Sequence, residues 1–468
     1  MSTFEGLRIA QSGLAAARAG MTVTGQNIAN QTTPGYTRQR TEQESVTAPG
    51  QAGLWPSGLG VGGGATVTSI ARLGDDVLDA RVRDALGTSG FWSTRAKAAI
   101  QAESVMAEPG TDGLAANLDR FWSGWSDLAN SPDSATAQIV LTNADVLVGQ
   151  IATGYRTIAG QWADLRGQVD RQVADVNGVA GQVAALNGQI RDAVASGRNA
   201  NELIDRRSVL AQQLSTAVGA TARVETDGTL TVRVDGNALV SGDSSRALVA
   251  SGPHDIAEGA RMGIAWADRP DVPVTIAGGV LGGLIGALAP AADGGSLAGV
   301  ARAYDDTATA LADAVNRIHR SGTTPGGAPG GDFFSVDATG PAALGLRVVP
   351  TGLSELALAS PGAGPKDTAV ADRIGALGAS PTGPSATWSR FVTGFAVSVA
   401  GDRQRADIAD TGAIAAVSGQ QSHASVDGDE ETISLLTYQT AYQAAARALT
   451  AVDEALDVLI NRTGLVGR

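Results

Sequence analysis

Two stretches of this chain carry apolar residues at alternating steps of three and four. Near the N-terminus they are Leu7, Ala10, Leu14, Ala17, Met21, Thr24 and Ile28, and near the C-terminus Leu435, Tyr438, Tyr442, Ala445, Leu449, Val452, Leu456 and Leu459. The spacing averages 3.5 residues, which keeps one seam of a slightly underwound helix facing a partner. A single such stripe is most simply the buried face of a core helix. Chain ends are usually frayed and variable, so two matched stripes predict helices that pair with each other or with neighbouring copies.

What lies between them limits the chemistry. The 468 residues allow two to four domains. Aromatics are 4% of the chain and glycine is abundant at 61 residues, so the core must be built from Ala, Val, Leu and Ile. The formal net charge of −13 argues against a nucleic-acid surface, which needs clustered Lys and Arg. Arg38-Gln39-Arg40 and Asp205-Arg206-Arg207 are too short to supply one. The absence of cysteine excludes thiol catalysis, disulfides and Cys-type zinc, and suits a protein exported unfolded. No apolar run reaches 18 residues, so no membrane insertion is expected, and no basic segment leads into an apolar one as in a cleavable signal.

The pattern along the chain is mainly helical with a β insertion. A first helix starts at Ser2 or Thr3 and ends near Asn30, because Thr33-Pro34-Gly35 cannot continue it. The chain is then extended and irregular to about Pro56, and Ala65 to Ile70 alternates as a short strand. From Asp75 to Val218 the pattern is helical, with breaks at Glu108-Pro109-Gly110, Ser131-Pro132-Asp133 and Ser196-Gly197-Arg198. One long helix is expected from about Val140 to Ala195, striped by Leu165, Val169, Val173, Val176, Val179 or Ala180, Val183, Leu186 and Ile190. Its interior glycines each cost roughly 1 kcal/mol against Ala, and close approach of a neighbouring helix is the expected return. Thr221 to Val234 reads as a β-hairpin closed by a primed turn at Asp227-Gly228. Strand character persists to Ala277, and helix resumes at about Leu297 to His319, where a cation at the helix end is mildly favoured. An irregular segment, 322–385, precedes a last helical pair, Trp388 to Gln421 and Glu430 to Arg462.

No catalytic, cofactor or metal site emerges. His254, His319 and His423 are scattered, and Asp429, Glu430 and Glu431 read as charges complementing a helix N-terminus. Gly58-Leu59-Gly60-Val61-Gly62-Gly63 fits G-x-G-x-x-G, but a strand follows it where a dinucleotide site requires a helix.

Thr24 to Gln39, with Asn27, Asn30, Pro34, Gly35 and Tyr36 in the pattern N-I-A-N-x-x-T-P-G-Y-x-R-Q, resembles the N-terminal signature of bacterial flagellar axial proteins, the rod, hook and hook-associated proteins. Physically, Asn27 and Asn30 are placed to bond local backbone at the helix end, and Pro34-Gly35 turns the chain away. Four further stretches resemble the hook-associated branch of that family: Gly60-Val61 through Val67, Ile70, Arg72, Asp75 and Leu78; Asn201 to Leu210; Val315 to Gly322 with Phe333-Phe334; and Ser425 to Glu431 with Tyr438 to Ala444. Gly428 replaces an apolar residue of the family pattern and is expected to loosen the start of the last helix. The middle is short, so an extra outer domain of some relatives is expected to be absent.

The resemblance implies a structural part joining hook to filament, exported through the flagellar type III apparatus. It implies contacts with itself, with hook protein, with the second junction protein, and with a cytoplasmic export chaperone through the C-terminal helix. The expected architecture is mainly α with an inserted β module. Residues 1–50 and 422–468 form a coiled-coil axial domain with seam residues Leu7, Leu14, Met21, Ile28, Leu435, Tyr438, Tyr442, Leu449, Val452, Leu456 and Leu459. Residues 51–219 and 299–421 form a helical bundle, and 220–298 an outermost β domain. Without neighbours the terminal helices are expected to be mobile. Another axial paralogue, or an adhesin or enzyme carried on axial termini, remains an alternative.

Overall fold

A computed structural model describes residues 3–47, 62–364, 366–458 and 460. Leu459, Gly58 to Val61 and the expected helix end at Arg462 lie outside the described residues. The chain opens with α1 (Thr3–Ala29), then an antiparallel pair β1 (Gln39–Ser45) and β2 (Ala65–Arg72). Four helices follow: α2 (Asp76–Met106), α3 (Leu114–Asn130), α4 (Ser134–Ala195) and α5 (Asn201–Val218). Their breaks fall where Pro and Gly interrupt the pattern. Each restart is held by local chemistry. Asp75 caps α2 by accepting from the Val77 and Leu78 amides, and Asp133 forms a capping box with Thr136 on α4. Glu108 accepts from the Ala115 amide at the start of α3 and from the Trp388 indole.

The 62 residues of α4 make a rod roughly 93 Å long. The expected stripe from Leu165 to Ile190 is buried, with Val179 half-buried. Two asparagines on this rod fasten the β module. Asn177 donates to the Leu248 carbonyl and accepts its amide, and Asn187 does the same for Leu230 while accepting from Arg207. Most glycines of α4 do not serve the helix packing expected of them. Gly160, Gly178 and Gly181 face open space, and Gly154 alone is pressed by a side chain of another helix, Tyr304.

The β module is two antiparallel sheets. β3 (Thr221–Val224), β4 (Leu230–Val234), β5 (Asn237–Ser241) and β6 (Ser244–Ser245) are paired in chain order. β7 (Leu248–Ser251), β8 (Gly263–Trp266) and β9 (Arg269–Val274) form the second. The primed turn is not at Asp227-Gly228, where only Gly228 has positive φ and Asp227 instead accepts from the Thr229 amide and hydroxyl. It lies at Asp235-Gly236, with φ of 51° and 72°, directly between the paired Val234 and Asn237.

Residues 279–288 are a helix, α6 (Gly279–Leu288), which the sequence reading missed. Four glycines in ten residues obscure it, and two of them let it lie against α2: a Cβ on Gly282 or Gly283 would meet Phe91 or Thr94. Then come α7 (Ser296–His319), the short pair β10 (Phe334–Val336) and β11 (Leu346–Val348) flanking α8 (Ala342–Gly345), and α9 (Ala369–Gly375). The chain returns through α10 (Pro384–Ala424) and α11 (Gly428–Asp457). Phe121, Trp125, Phe333 and Phe334 form one aromatic cluster in the core, with successive ring centroids 4.7 to 5.7 Å apart.

His319 corrects a further expectation. It is not a solvated cation at a helix end but 1% exposed, its Nδ1 bonded to the Gly331 carbonyl and its Nε2 accepting from the Ala357 amide. Burial lowers its pKa, and an acceptor Nε2 requires the neutral ring.

Two successive antiparallel helix pairs organise the ends. α2 and α10 are joined by a ladder of polar contacts: Asp79 with Gln420, Ser93 with Asp410 at 2.9 Å, and Arg95 with Asp402 at 2.9 Å. α1 and α11 continue beyond them as a second pair within one chain.

Candidate functional site

The α1–α11 pair has a register readable residue by residue. Gly6 lies against Val452, Gly13 against Ala445, and Gly20 against the Tyr438 ring. Asn27 donates to Glu431 at 3.0 Å. Each step of seven along α1 is answered by a step of seven back along α11, as an antiparallel coiled coil requires. The inner row of α1 is therefore Gly6, Ala10, Gly13, Ala17, Gly20, Thr24 and Asn27.

Of the seam residues expected on α1, Leu7, Leu14 and Met21 are half-buried and Ile28 is 37% exposed. They flank the seam while Ala10, Ala17 and Thr24 are buried in it. Apolar area misleads here because glycine contributes none, yet three glycines let α11 come close. On α11, Leu435, Tyr438, Tyr442, Leu449, Val452 and Leu456 are all half-buried, and Tyr438 and Val452 are the ones that meet glycines of α1.

The coil closes onto the body through a polar node. Asn27, 1% exposed, uses its whole amide: Oδ1 accepts from the Gln39 amide at 3.0 Å and the Tyr36 hydroxyl at 2.9 Å, while Nδ2 donates to the Gln39 carbonyl at 2.9 Å and to Glu431. This differs from the local helix-end role its position suggested. Asn30 does act locally, donating to the Gln26 carbonyl at 3.0 Å. Pro34 is exposed in the turn, and Gly35 has φ of 78°, with Val209 filling the place a Cβ would take.

Glu431 is more than a helix-end charge. It is 2% exposed and receives Arg38 Nε at 2.7 Å, while Glu430 receives Arg38 Nη1 at 2.7 Å. Burial opposes the Arg38 charge, but the two carboxylates outweigh it and hold its pKa above the ordinary value. Asp205 of α5 takes the Thr37 amide at 3.0 Å and Arg72 Nε at 2.6 Å. Asn201 donates to Gln39 Oε1 and to the Ile70 carbonyl. Burial, then Asp205, Glu202 and Glu431, push the Tyr36 hydroxyl up to about 12. Gly428 does not loosen α11, because Asp427 caps it by accepting from the Asp429 and Glu430 amides. Four stretches far apart in sequence thus meet in one hydrogen-bonded cluster: 24–39, 67–78, 201–210 and 425–431. Only their recurrence as motifs hinted at this. The fifth, around Asn316 and His319, lies elsewhere, where Asn316 Oδ1 accepts the Phe333 and Phe334 amides.

Among the described residues no group of three His, Cys, Asp or Glu could hold a metal ion, and no helix is long and apolar enough to cross a membrane. A helical hairpin made from both end segments and latched to a helical body is the plan of a flagellar axial subunit. The segments themselves match accordingly. Residues 7–37 match the flagella basal body rod protein model, and 417–462 match the flagellar basal body rod FlgEFG protein C-terminal model. Residues 99–334 match the flagellar hook-associated protein FlgK helical domain, and the chain belongs to that family. It is a structural protein of the extracellular flagellum.

The chain is 27% identical to flagellar hook-associated protein 1 of Bacillus subtilis (strain 168), over all of both chains. It is 30% identical to the protein of that name from Salmonella typhimurium (strain LT2), over 70% of this chain and 58% of that one. The solved flagellar hook junction protein FlgK of Burkholderia pseudomallei aligns with a TM-score of 0.46 and 24% identity, over 56% of this chain and 47% of that one.

Proposed function

We propose that this chain is the subunit joining hook to filament in its flagellum, polymerising by packing of the α1–α11 pair after export through the flagellar type III apparatus. The observation that carries this reading is the match of residues 99–334 to the hook-associated helical domain. The rod-type models match the two end segments, which rod, hook and junction subunits would all need, so the middle is what separates them.

Residues 1–50 and 422–468 would form the axial packing domain, with 51–219 and 299–421 the helical body. The β domain proposed for 220–298 holds the seven strands β3 to β9, while α6 within that range packs on α2 and serves the body. Its contacts would be further copies of itself, hook protein on one side and the second junction protein on the other. An export chaperone would hold α11 before secretion, since an isolated α11 exposes its seam to water. The seam residues Leu435 to Leu456 and the motif Asn27 to Tyr36 would act in this assembly. The proposal assigns no catalysis.

Deletion of the gene tests the reading. The expected phenotype is hooks without filaments and flagellin shed into the medium. Deletion cells that keep hook-borne filaments would refute it, and loss of the hook itself would favour a rod or hook subunit.

A further inference from the structure

Beside the node, α2, α5 and β3 enclose a cavity of about 430 Å³ lined by Arg72, Asp76, Asp79, Arg83, Arg207 and Arg223, among others. We infer that this cavity is a binding site for a small oxyanion of the phosphate or sulfate type, held between Arg83 of α2 and Arg207 of α5. The inference stands apart from the junction role.

The chain places two buried guanidiniums here without giving either a direct counter-ion. Arg83 is 7% exposed and Arg207 3% exposed. Among the described residues neither has a carboxylate within ion-pair distance. Arg83 makes one long contact, 3.4 Å to the Ala222 carbonyl. Arg207 Nη1 is spent on Asn187 and the Gly228 carbonyl. A buried charge is costly unless paired, and this chain has acidic residues to spare at a net charge of −13. Of the two that line the cavity, Asp79 is engaged elsewhere and Asp76 is exposed to solvent, and neither is in ion-pair contact with Arg83 or Arg207. Asp79 is taken by Gln420 and lies 3.8 Å from Arg72, whose Nε serves Asp205. Asp76 is exposed, and Asp76, Asp79 and Asp84 act on Arg83 only at longer range. Burial, and then the charge of Arg72, press the Arg207 pKa down to about 10.

An oxyanion would resolve the imbalance. Guanidinium N–H forks match its oxygens, and such charge-assisted bonds are the strong ones. The Asp205-Arg206-Arg207 run is too short for a nucleic-acid surface, but one of its arginines suffices for a pocket. The volume leaves room for the ion with part of its hydration shell, and exposed Arg223 on β3 adds a further positive charge to the lining.

The test is a titration of the purified full chain with inorganic phosphate against sodium chloride at matched ionic strength. It is read as heat of binding and as thermal midpoint. Phosphate also stabilises proteins by being excluded from their surfaces, so saturation and its loss in variants are the decisive features. The expected result is a saturable one-site response to phosphate and none to chloride. Arg83→Gln should bind about tenfold more weakly or worse, as removal of one charge-assisted bond implies. Its midpoint without phosphate should be unchanged or higher, because an uncompensated charge has gone. Arg223→Ala, an exposed change that cannot threaten the fold, should weaken binding several-fold. A response that is unsaturable and equal in wild type and Arg223→Ala overturns the proposal. So does an Arg83→Gln variant that binds phosphate as tightly as wild type.

Discussion

Asn27→Asp exchanges one NH₂ for an oxygen, at a position where that NH₂ faces the Gln39 carbonyl at 2.9 Å and Glu431 Oε2 at 3.0 Å. Two costs follow. The first is loss of both donated bonds, with a carbonyl left facing a carboxylate, at about 1–3 kcal/mol. The part at Gln39 persists at every pH, whereas a proton on the acidic pair restores a donor toward Glu431. The second is a pair of buried carboxylates in contact. Such a pair typically raises one pKa by about 2–3 units, and at about 1.4 kcal/mol per unit the penalty reaches about 3–4 kcal/mol near neutrality. The folded variant then holds a proton that the unfolded chain, with Asp near 3.9, releases. Its stability is therefore best preserved below about pH 4 and drains as pH rises toward about 6–7. The assay is amide exchange of residues 20–30 and 428–440 at about pH 4.5 and 7.5, always as the difference from wild type. Tryptophan fluorescence from buried Trp125 and Trp388 should report an intact body at both. A deficit of equal size at the two pH values would show that Asn27 and Glu431 are not in contact, and the register built on that contact would fall.

Gly20→Leu should splay the coil, because even a Cβ there lies within 2.6 Å of three Tyr438 ring atoms; overpacking of this kind costs about 1–3 kcal/mol or more. Gly13→Ala, whose Cβ would meet Ala445 at an ordinary 3.8 Å, should instead raise coil stability by up to about 1 kcal/mol in thermal melts followed by circular dichroism. Equal effects at the two sites would reject the close-approach argument. Acidification should destabilise the body through His319, whose folded pKa lies below the unfolded value: wild type loses about 1.4 kcal/mol per pH unit below about 6.5, down to the folded pKa. Urea titrations of His319→Asn should lack that slope, and an unchanged slope would assign it to other groups. Leu449→Asp or Leu456→Asp should abolish assembly in complementation and electron microscopy while the body melts as wild type. Filaments on such hooks would remove these residues from the packing surface.

Periodicity made much of this fold legible. α1, the long α4 rod, and α10 and α11 were all visible because helical patterns of 27 residues and more leave little room for another structure. Where single residues decide, the sequence was less informative. α6 was hidden by its four glycines, which are poor helix formers taken alone and useful only once Phe91 and Thr94 are opposite them. The primed turn was expected at Asp227-Gly228, and strand register places it at Asp235-Gly236 instead, because a dipeptide alone does not fix which residues pair across it. On α1 the row Ala10, Ala17 and Thr24 lies in the seam as expected, while the row Leu7, Leu14, Met21 and Ile28 flanks it, because contact at Gly6, Gly13 and Gly20 comes from missing side chains. Glu431 and His319 were read by their place on a helix, whereas their partners Asn27, Arg38 and Ala357 come from other segments. Of the node, the motif residues were known individually. That they converge was not, since nothing local joins residue 27 to residue 431.

That separation has a kinetic consequence. Closing a flexible loop of some 404 residues would cost about 5 kcal/mol in chain entropy, more than an early contact between α1 and α11 is placed to return. Once the body has folded, the Arg38 amide meets the Ala424 carbonyl at 2.9 Å, and only short tethers remain between that point and the two helices. The coil is thus expected to form last, like a clasp that can shut only after both arms are in hand. If export and polymerisation proceed as proposed, a subunit threaded through a narrow passage would emerge with its packing surface incomplete, and acquire it only once the rest of the chain has arrived.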